Sequence, residues 1–435
     1  EERPRGMRMA IIPRYARGDS VFGMNHAYPW DHLEEECVAA GLLWIRDWSL
    51  EWEDVQPREG GAFDFTEGDA QIDRPLSFGQ HVLGLLPFPS SNWSSGAPAS
   101  VAAGPGYPDI GGRTAYAPRS DEEFSRYVSE TVAHYKGRIR WWQVFNEPLY
   151  TNHALPADYG YTGKDYGRYV KLFSEAAKAA DPECKVLAGI GGQPDGTQRH
   201  IEDMLQTGAL DYIDAVDIHA YPGLMRPERL EPGLRSLREQ MERHGGPKPV
   251  WLTEHGYYAD DDVEVTPARH GGFDIPLSSE RLQAAFSMRY NVMLLYHGVE
   301  RILYHAGTCL GLNGDNREGT FFEHAGAPRR IYAALAAFAE LFPPGCKPLS
   351  ELQWGEGVKA YLFDNGEKLV LAAWALPEAG PMRVAWTDPR ISGRDIMGNA
   401  LDARWVELGE VPVFILCPRG MTGTELKGAL EVSGG

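Results

Sequence analysis

Apolar residues fall along this chain in two alternating textures. Short β-branched or aromatic runs recur, and a longer stretch follows each, in which apolar positions return every three or four residues. The runs are Val21–Asn25, Leu42–Asp47, His81–Pro87, Ile139–Asn146, Lys185–Gly191, Ala215–Ala220, Pro249–Thr253 and Glu300–Tyr304. Their composition suits strands, and the period of the intervening stretches suits helices. Asp31-His32-Leu33-Glu34 has the form of a capping box opening a helix that stops at Gly41. Ser120 with Glu123 opens another, with Phe124, Tyr127, Val128 and Val132 as one stripe. Lys164–Ala180, Glu228–Arg243, Glu280–Tyr296 and Arg329–Leu341 follow the same plan. Eight strand-then-helix units predict an α/β fold, a (β/α)8 TIM barrel. A doubly wound open sheet is the alternative. No Gly-x-Gly-x-x-Gly follows the first run, which argues against its dinucleotide-binding form.

The texture changes at Phe342-Pro343-Pro344-Gly345. Beyond it, short alternating runs (Val358–Phe363, Lys368–Ala375, Met382–Trp386, Arg404–Leu408, Val411–Cys417) are separated by turn residues such as Asp364-Asn365-Gly366. They predict a C-terminal antiparallel β-sandwich-like module. The expected division is a barrel over 14–342 and an accessory module over 343–435, with an early strand in 5–13 as a possible partner of the module. A Gly/Pro/Ser-rich loop from Phe88 to Pro118 follows the third strand and is placed over the C-terminal mouth of the barrel.

Length fits that division, because 435 residues exceed what one core usually absorbs. The net charge of −19 repels phosphate backbones and anionic membrane surfaces, so nucleic acid is not an expected partner. No apolar run is long enough to span a bilayer, so no membrane insertion is expected. The chain opens Glu1-Glu2-Arg3-Pro4 without a charged-then-apolar leader, so it shows no signal peptide; secretion or a periplasmic location stays open. Five scattered cysteines without a Cys-x-x-Cys read as small buried hydrophobes, not as a disulfide or zinc framework.

Candidate chemistry lies where strands end. The fourth run reads Trp141-Trp142-Gln143-Val144-Phe145-Asn146-Glu147-Pro148, and the seventh Val250-Trp251-Leu252-Thr253-Glu254-His255-Gly256. Each closes an apolar strand with a glutamate whose desolvation is costly unless partners relieve it. Three strands apart around a barrel, Glu147 and Glu254 face each other across its mouth. Glycosidic bond cleavage uses such a pair, one carboxyl protonating the departing oxygen while the other attacks the anomeric carbon or activates water. Taken singly, each Glu also reads as a strand-end ion-pair residue.

Asn146-Glu147-Pro148 and Thr253-Glu254-x-Gly256 resemble the strand-four and strand-seven motifs of the clan A retaining glycoside hydrolases. The strand-four wording, His219-Ala220-Tyr221-Pro222 and the β tail are most similar to families 39 and 5. The resemblance implies Glu147 as acid/base, Glu254 as nucleophile and Asn146 as the holder of the sugar 2-hydroxyl. It implies that Arg46, in Trp44-Ile45-Arg46-Asp47-Trp48, supports the nucleophile, and that His219 and Tyr221 touch the catalytic carboxylates or the sugar. Trp93, in the loop after strand three, is the first candidate for stacking on a sugar face. His26 and Asn25 are expected to donate to sugar hydroxyls. His255 and His305 stand where relatives vary or present a tryptophan, and both are carried as substrate-binding candidates.

The expected function is therefore a retaining β-glycosidase acting on a neutral oligosaccharide or polysaccharide, with exo and endo action both open. The rival is a catalytically silent carbohydrate-binding relative. No cofactor and no metal are expected: no His-x-His ends strand one and no His-Glu-x-x-His occurs. Asp260-Asp261-Asp262 with Glu264 reads as a solvated charge run, and Leu312–Asn316 as a turn-rich loop near the mouth.

Overall fold

The computed structural model describes residues 9–105, 112–191, 198–259, 277–306, 320–322 and 326–434. The acidic run at Asp260–Glu264 and the loop at Leu312–Asn316 lie outside the described residues. Eight parallel strands close on themselves: β1 (Phe22–Met24), β2 (Leu42–Asp47), β3 (His81–Leu86), β4 (Trp141–Val144), β5 (Lys185–Gly191), β6 (Ala215–Ala220), β7 (Val250–His255) and β8 (Val299–Tyr304). β1 pairs with both β2 and β8, which closes the barrel. The outer layer contains α1 (Asp31–Ala39), α2 (Trp52–Val55), α3 (Thr66–Ser77), α4 (Asp121–His134), α5 (Gly163–Ala180), α6 (Gln198–Leu205), α7 (Glu231–Arg243), α8 (Glu280–Tyr296) and α9 (Arg330–Leu341). Ser120 caps α4 by accepting from the Glu123 N–H, and Phe124, Tyr127, Val128 and Val132 are its buried stripe. The expected capping box at α1 does not form. Trp30 precedes the helix without a side-chain cap, and the Glu34 carboxylate turns back to accept from the Tyr28 N–H at 2.6 Å.

The lower interior of the barrel is filled by Trp44, Leu83, Leu187, Ala215, Trp251 and Leu303, with Trp141 against them. The Trp251 ring lies 4.3 Å from Trp141 and 5.2 Å from Trp44, centroid to centroid. These indoles plug the barrel, so its chemistry is confined to the upper, C-terminal end.

Strand four was expected to run to Asn146, but its ladder ends at Val144. Phe145 and Glu147 take left-handed φ values of 60° and 46°, and Leu149 follows at 76°. Each such bulky residue costs roughly 1–3 kcal/mol, and the surroundings must hold it in place. Phe145 is wholly buried beside Phe124, Tyr166 and Tyr169, and its N–H still donates to the Leu86 carbonyl at 3.1 Å.

After α9 the chain builds two antiparallel sheets. The larger has the order β13 (Ser392–Arg394), β15 (Val413–Pro418), β11 (Lys368–Ala375), β10 (Val358–Asp364), β9 (Lys347–Glu351). The smaller is β14 (Trp405–Leu408), β12 (Met382–Trp386), β16 (Leu430–Gly434), and α10 (Gly423–Ala429) precedes β16. The central strands of the larger sheet, β10, β11 and β15, are buried on both faces. Tyr361, Phe363, Val370, Ala372, Trp374 and Phe414 join the barrel's core, whereas Ala360, Leu362, Leu371, Ala373 and Ile415 pack in a second core with Val384 and Trp386. That two-sided burial explains why Lys368–Ala375 is apolar almost throughout. The described part of the expected early strand, 9–13, is irregular and pairs with neither sheet. Among the described residues no helix is long and apolar enough to cross a membrane, and Cys37, Cys184, Cys346 and Cys417 are free thiols.

Candidate active site

The upper mouth gathers the strand-end residues around Arg46 of β2. Its guanidinium has no exposure and donates to four acceptors: Gln143 Oε1 at 2.7 Å, Asn25 Oδ1 at 2.8 Å, Asn146 Oδ1 at 2.7 Å and Glu254 Oε2 at 2.8 Å. One buried cation thus fixes residues in β4 and β7 and just after β1 and β4. The other carboxylate oxygen of Glu254 accepts a short hydrogen bond from the Tyr221 hydroxyl. Burial pushes the Glu254 carboxyl up, but His219 and Arg46 more than offset it, so it sits below the usual carboxylate range and stays ionised.

Glu147 leans toward Glu254 from the left-handed turn after β4. One oxygen of each carboxylate and a ring nitrogen of His219 all lie within 4.8 Å of one another. Such a trio has the spacing to hold a cation, but Arg46 already supplies a buried positive charge there, and His219 meets Glu147 at hydrogen-bond length. His219 is wired on both sides. Its Nδ1 faces Glu147 Oε1 at 2.9 Å, and its Nε2 faces Thr253 Oγ1 at 3.1 Å. The Thr253 hydroxyl spends its single proton in a short bond to Asp217 Oδ1, so it accepts from His219, and Nε2 carries a proton. A neutral His219 then has a bare Nδ1 that requires a protonated Glu147, and a cationic one pairs with an ionised Glu147. One proton is shared along this axis. Burial opposes both charges, yet Glu254 and Asp217 raise His219, while His153 and His219 lower Glu147. Both shifts favour the charge-paired form of this axis.

The expected site residues divide into two groups. Glu147, Glu254, Asn146, Arg46, His219 and Tyr221 form one contiguous hydrogen-bonded cluster. His305 and His26 flank it, with ring centroids 6.1 Å apart, and His305 lies 5.9 Å from the Tyr221 ring. Burial pushes His26 down to about 3, so its ring is neutral. Trp93 and His255 lie elsewhere. The Trp93 indole donates to the Gln56 carbonyl at 2.7 Å and packs edge-on to Trp52, which makes it an anchor of the loop after β3. His255 follows Glu254 on a pleated strand and so points to the opposite side, where its buried ring lies 5.3 Å from Tyr290 of α8 and 4.6 Å from Tyr304. Asn25 is committed inward, its amide donating to the Thr253 carbonyl at 2.8 Å.

Several residues were missed by sequence reasoning. Trp48 lies 5.2 Å from the Arg46 guanidinium and 6.3 Å from His26, a partly exposed aromatic face at the mouth. Its place two residues after the strand-two arginine was the available signal. Gln143, Asp217 and Thr253 form the buried support of the cluster. The Tyr258 hydroxyl meets His305 Nδ1 at 3.2 Å. Its ring folds back over Gly256, where any Cβ would come within 2.6 Å of it. His153, six positions after Glu147, returns to that carboxylate at 3.6 Å.

Comparison with known proteins gives a coherent picture. Residues 45–188 match the model of glycosyl hydrolase family 10, a stretch that contains Arg46, Asn146 and Glu147 and stops short of Glu254. Over 138 residues the chain is 29% identical to endo-1,4-beta-xylanase A of Phanerodontia chrysosporium, covering 32% of this chain and 30% of that one. The match to xylanase C of the same organism is 28% identical and covers 31% of it, so the chain aligns with less than a third of these curated relatives. Among solved structures, a family 39 glycoside hydrolase from Bacteroides cellulosilyticus superposes with a TM-score of 0.68 at 19% identity, covering 94% of this chain and 83% of that one. A family 30 endoxylanase from Clostridium papyrosolvens gives 0.56 at 14% identity, covering 94% and 98%. In sequence over the first half of its barrel, and in fold throughout, this chain is similar to the glycoside hydrolases of clan A.

Proposed function

We propose that this chain is a retaining β-glycosidase that cleaves a neutral β-linked glycan by double displacement, with a β-1,4-xylan or its oligosaccharides as the first substrate to test. The observation that carries this is the closeness of the two carboxylates, with oxygens within 4.8 Å. Retaining enzymes keep the pair about 5–5.5 Å apart, whereas inverting ones need about 6.5–9.5 Å to admit a water. Glu254, kept ionised by Arg46 and held by Tyr221, attacks the anomeric carbon. Glu147 takes the shared proton from His219 and delivers it to the departing oxygen. It then removes a proton from the water that releases the sugar. Asn146, oriented through its Oδ1 by Arg46, offers its amide N–H groups to the 2-hydroxyl. Residues 14–342 form the catalytic unit in this reading and 343–435 the accessory one.

The test is Glu254→Ala assayed on xylan and on aryl β-xylosides. Turnover should be abolished, and added azide should restore part of it with a glycosyl azide of inverted anomeric configuration. Undiminished activity in this variant would sink the assignment. Product sizes from xylan, a ladder or monomer alone, separate endo from exo action.

A further inference from the structure

The turn after Glu147 doubles back so that its own later residues grip the carboxylate. The left-handed residues Glu147 and Leu149 reverse the chain, and the Leu149 N–H closes it on the Ala154 carbonyl at 3.0 Å. Thr151 stands at the centre of the loop. Its hydroxyl donates to the Glu147 carbonyl at 2.8 Å, which uses its one proton. The contact between Thr151 Oγ1 and His153 Nδ1 at 3.0 Å is then one in which the imidazole donates, so Nδ1 carries a proton. That same Nδ1 lies 3.6 Å from Glu147 Oε2. The His153 ring is buried, stacked over Phe88 at 6.3 Å and edge-on to Trp48 at 6.2 Å, so it has little freedom to turn away.

We propose that His153 is a positioning residue for Glu147, its Thr151-fixed N–H facing Oε2 and favouring the ionised carboxylate that the second, water-activating half of the reaction needs. This rests on Glu147 being the acid/base. Two imidazoles then share one carboxylate with opposite duties. His219, on Oε1, exchanges the working proton, and His153, on Oε2, biases where that proton rests. The other ionisable groups near Glu147 are Tyr150 on the same loop, whose hydroxyl is a further donor to its carboxylate, and Glu254 of β7; Asp217 of β6 lies behind His219 and Arg46 of β2 behind Glu254. The carboxylates Glu254 and Asp217 oppose ionisation, so the polar N–H of His153, 3.6 Å from Oε2, has a definite task. His153 and His219 together outweigh burial and hold Glu147 below the usual carboxylate range.

The test compares His153→Phe, which keeps the ring packing and removes the donor, with His153→Gln, which keeps a donor. Glu147 is followed by carbon-13 NMR of carboxyl-labelled glutamates at varied pH, with Glu147→Gln to assign its signal. The Glu147 midpoint should rise by up to about one pH unit in His153→Phe, through loss of the polar N–H beside Oε2, and return toward wild type in His153→Gln. Where turnover is measured, the basic limb of the pH–rate profile, set by Glu147, should move up with it, while the acid limb set by Glu254 stays in place. An unmoved midpoint in His153→Phe, or a fall in rate equal at every pH, overturns the proposal. Full activity in Glu147→Gln on substrates with poor leaving groups would instead overturn the acid/base reading beneath it.

Discussion

Arg46→Met removes the cation on which four acceptors converge. At 2.8 Å and an effective dielectric of about 20, the gross attraction between Arg46 and Glu254 is about 6 kcal/mol. Desolvation of the guanidinium offsets part of this, and removing one partner of a buried pair leaves a net loss of about 3–5 kcal/mol. Gln143, Asn25 and Asn146 also lose their donor, so the upper part of that range is expected. The pH dependence has a definite sign. Glu254 is held below the ordinary carboxylate range in the folded protein, so its contribution is present above about pH 4.3, its unfolded value. It is lost as pH falls through the folded value. Without Arg46 that folded value rises, and the variant's deficit should be largest at pH 7 and shrink toward pH 4. Urea unfolding of both proteins at the two pH values reads this directly, and Arg46→Lys should recover only part of the loss. An equal urea midpoint at pH 7, or a deficit independent of pH, would refute the pairing as the organiser of the site.

Two further substitutions separate binding from anchoring. Trp48→Ala should raise KM for xylo-oligosaccharides about tenfold through loss of an aromatic face. Trp93→Phe should lower unfolding stability by about 1 kcal/mol through loss of its bond to Gln56, with KM unchanged. A KM effect confined to Trp93 would reverse these assignments. At the junction of barrel and β module, buried Arg289 of α8 forks onto Glu228 at 2.9 and 2.5 Å, and the Trp374 indole donates to the same carboxylate at 2.8 Å. Arg289→Met should destabilise the whole chain by about 3–5 kcal/mol in one cooperative transition, which calorimetry checks; a separate early transition for the module would show that the two parts unfold independently.

The periodicity of the sequence was enough to set out the barrel and its β tail. Alternation with period two or 3.6 is a local property, and all eight strand runs lie within a few residues of the ladders. It also drew attention to Glu147 and Glu254, because a carboxylate closing an apolar strand is conspicuous by its desolvation cost, whereas Arg46 came only from the resemblance of its strand-two motif. Tertiary structure decided the rest. The end of strand four was set by left-handed backbone at Phe145, which packing against α4 and α5 enforces and no propensity announces. The pleat of β7 turned Glu254 toward the cluster at the mouth and His255 into the core. The protonation wiring through Thr253, Asp217 and His219, and through Thr151 and His153, joins residues far apart in sequence or folded back by a strained turn. Hydrogen-bond direction at a hydroxyl depends on where its one proton goes, and only the assembled neighbours determine that.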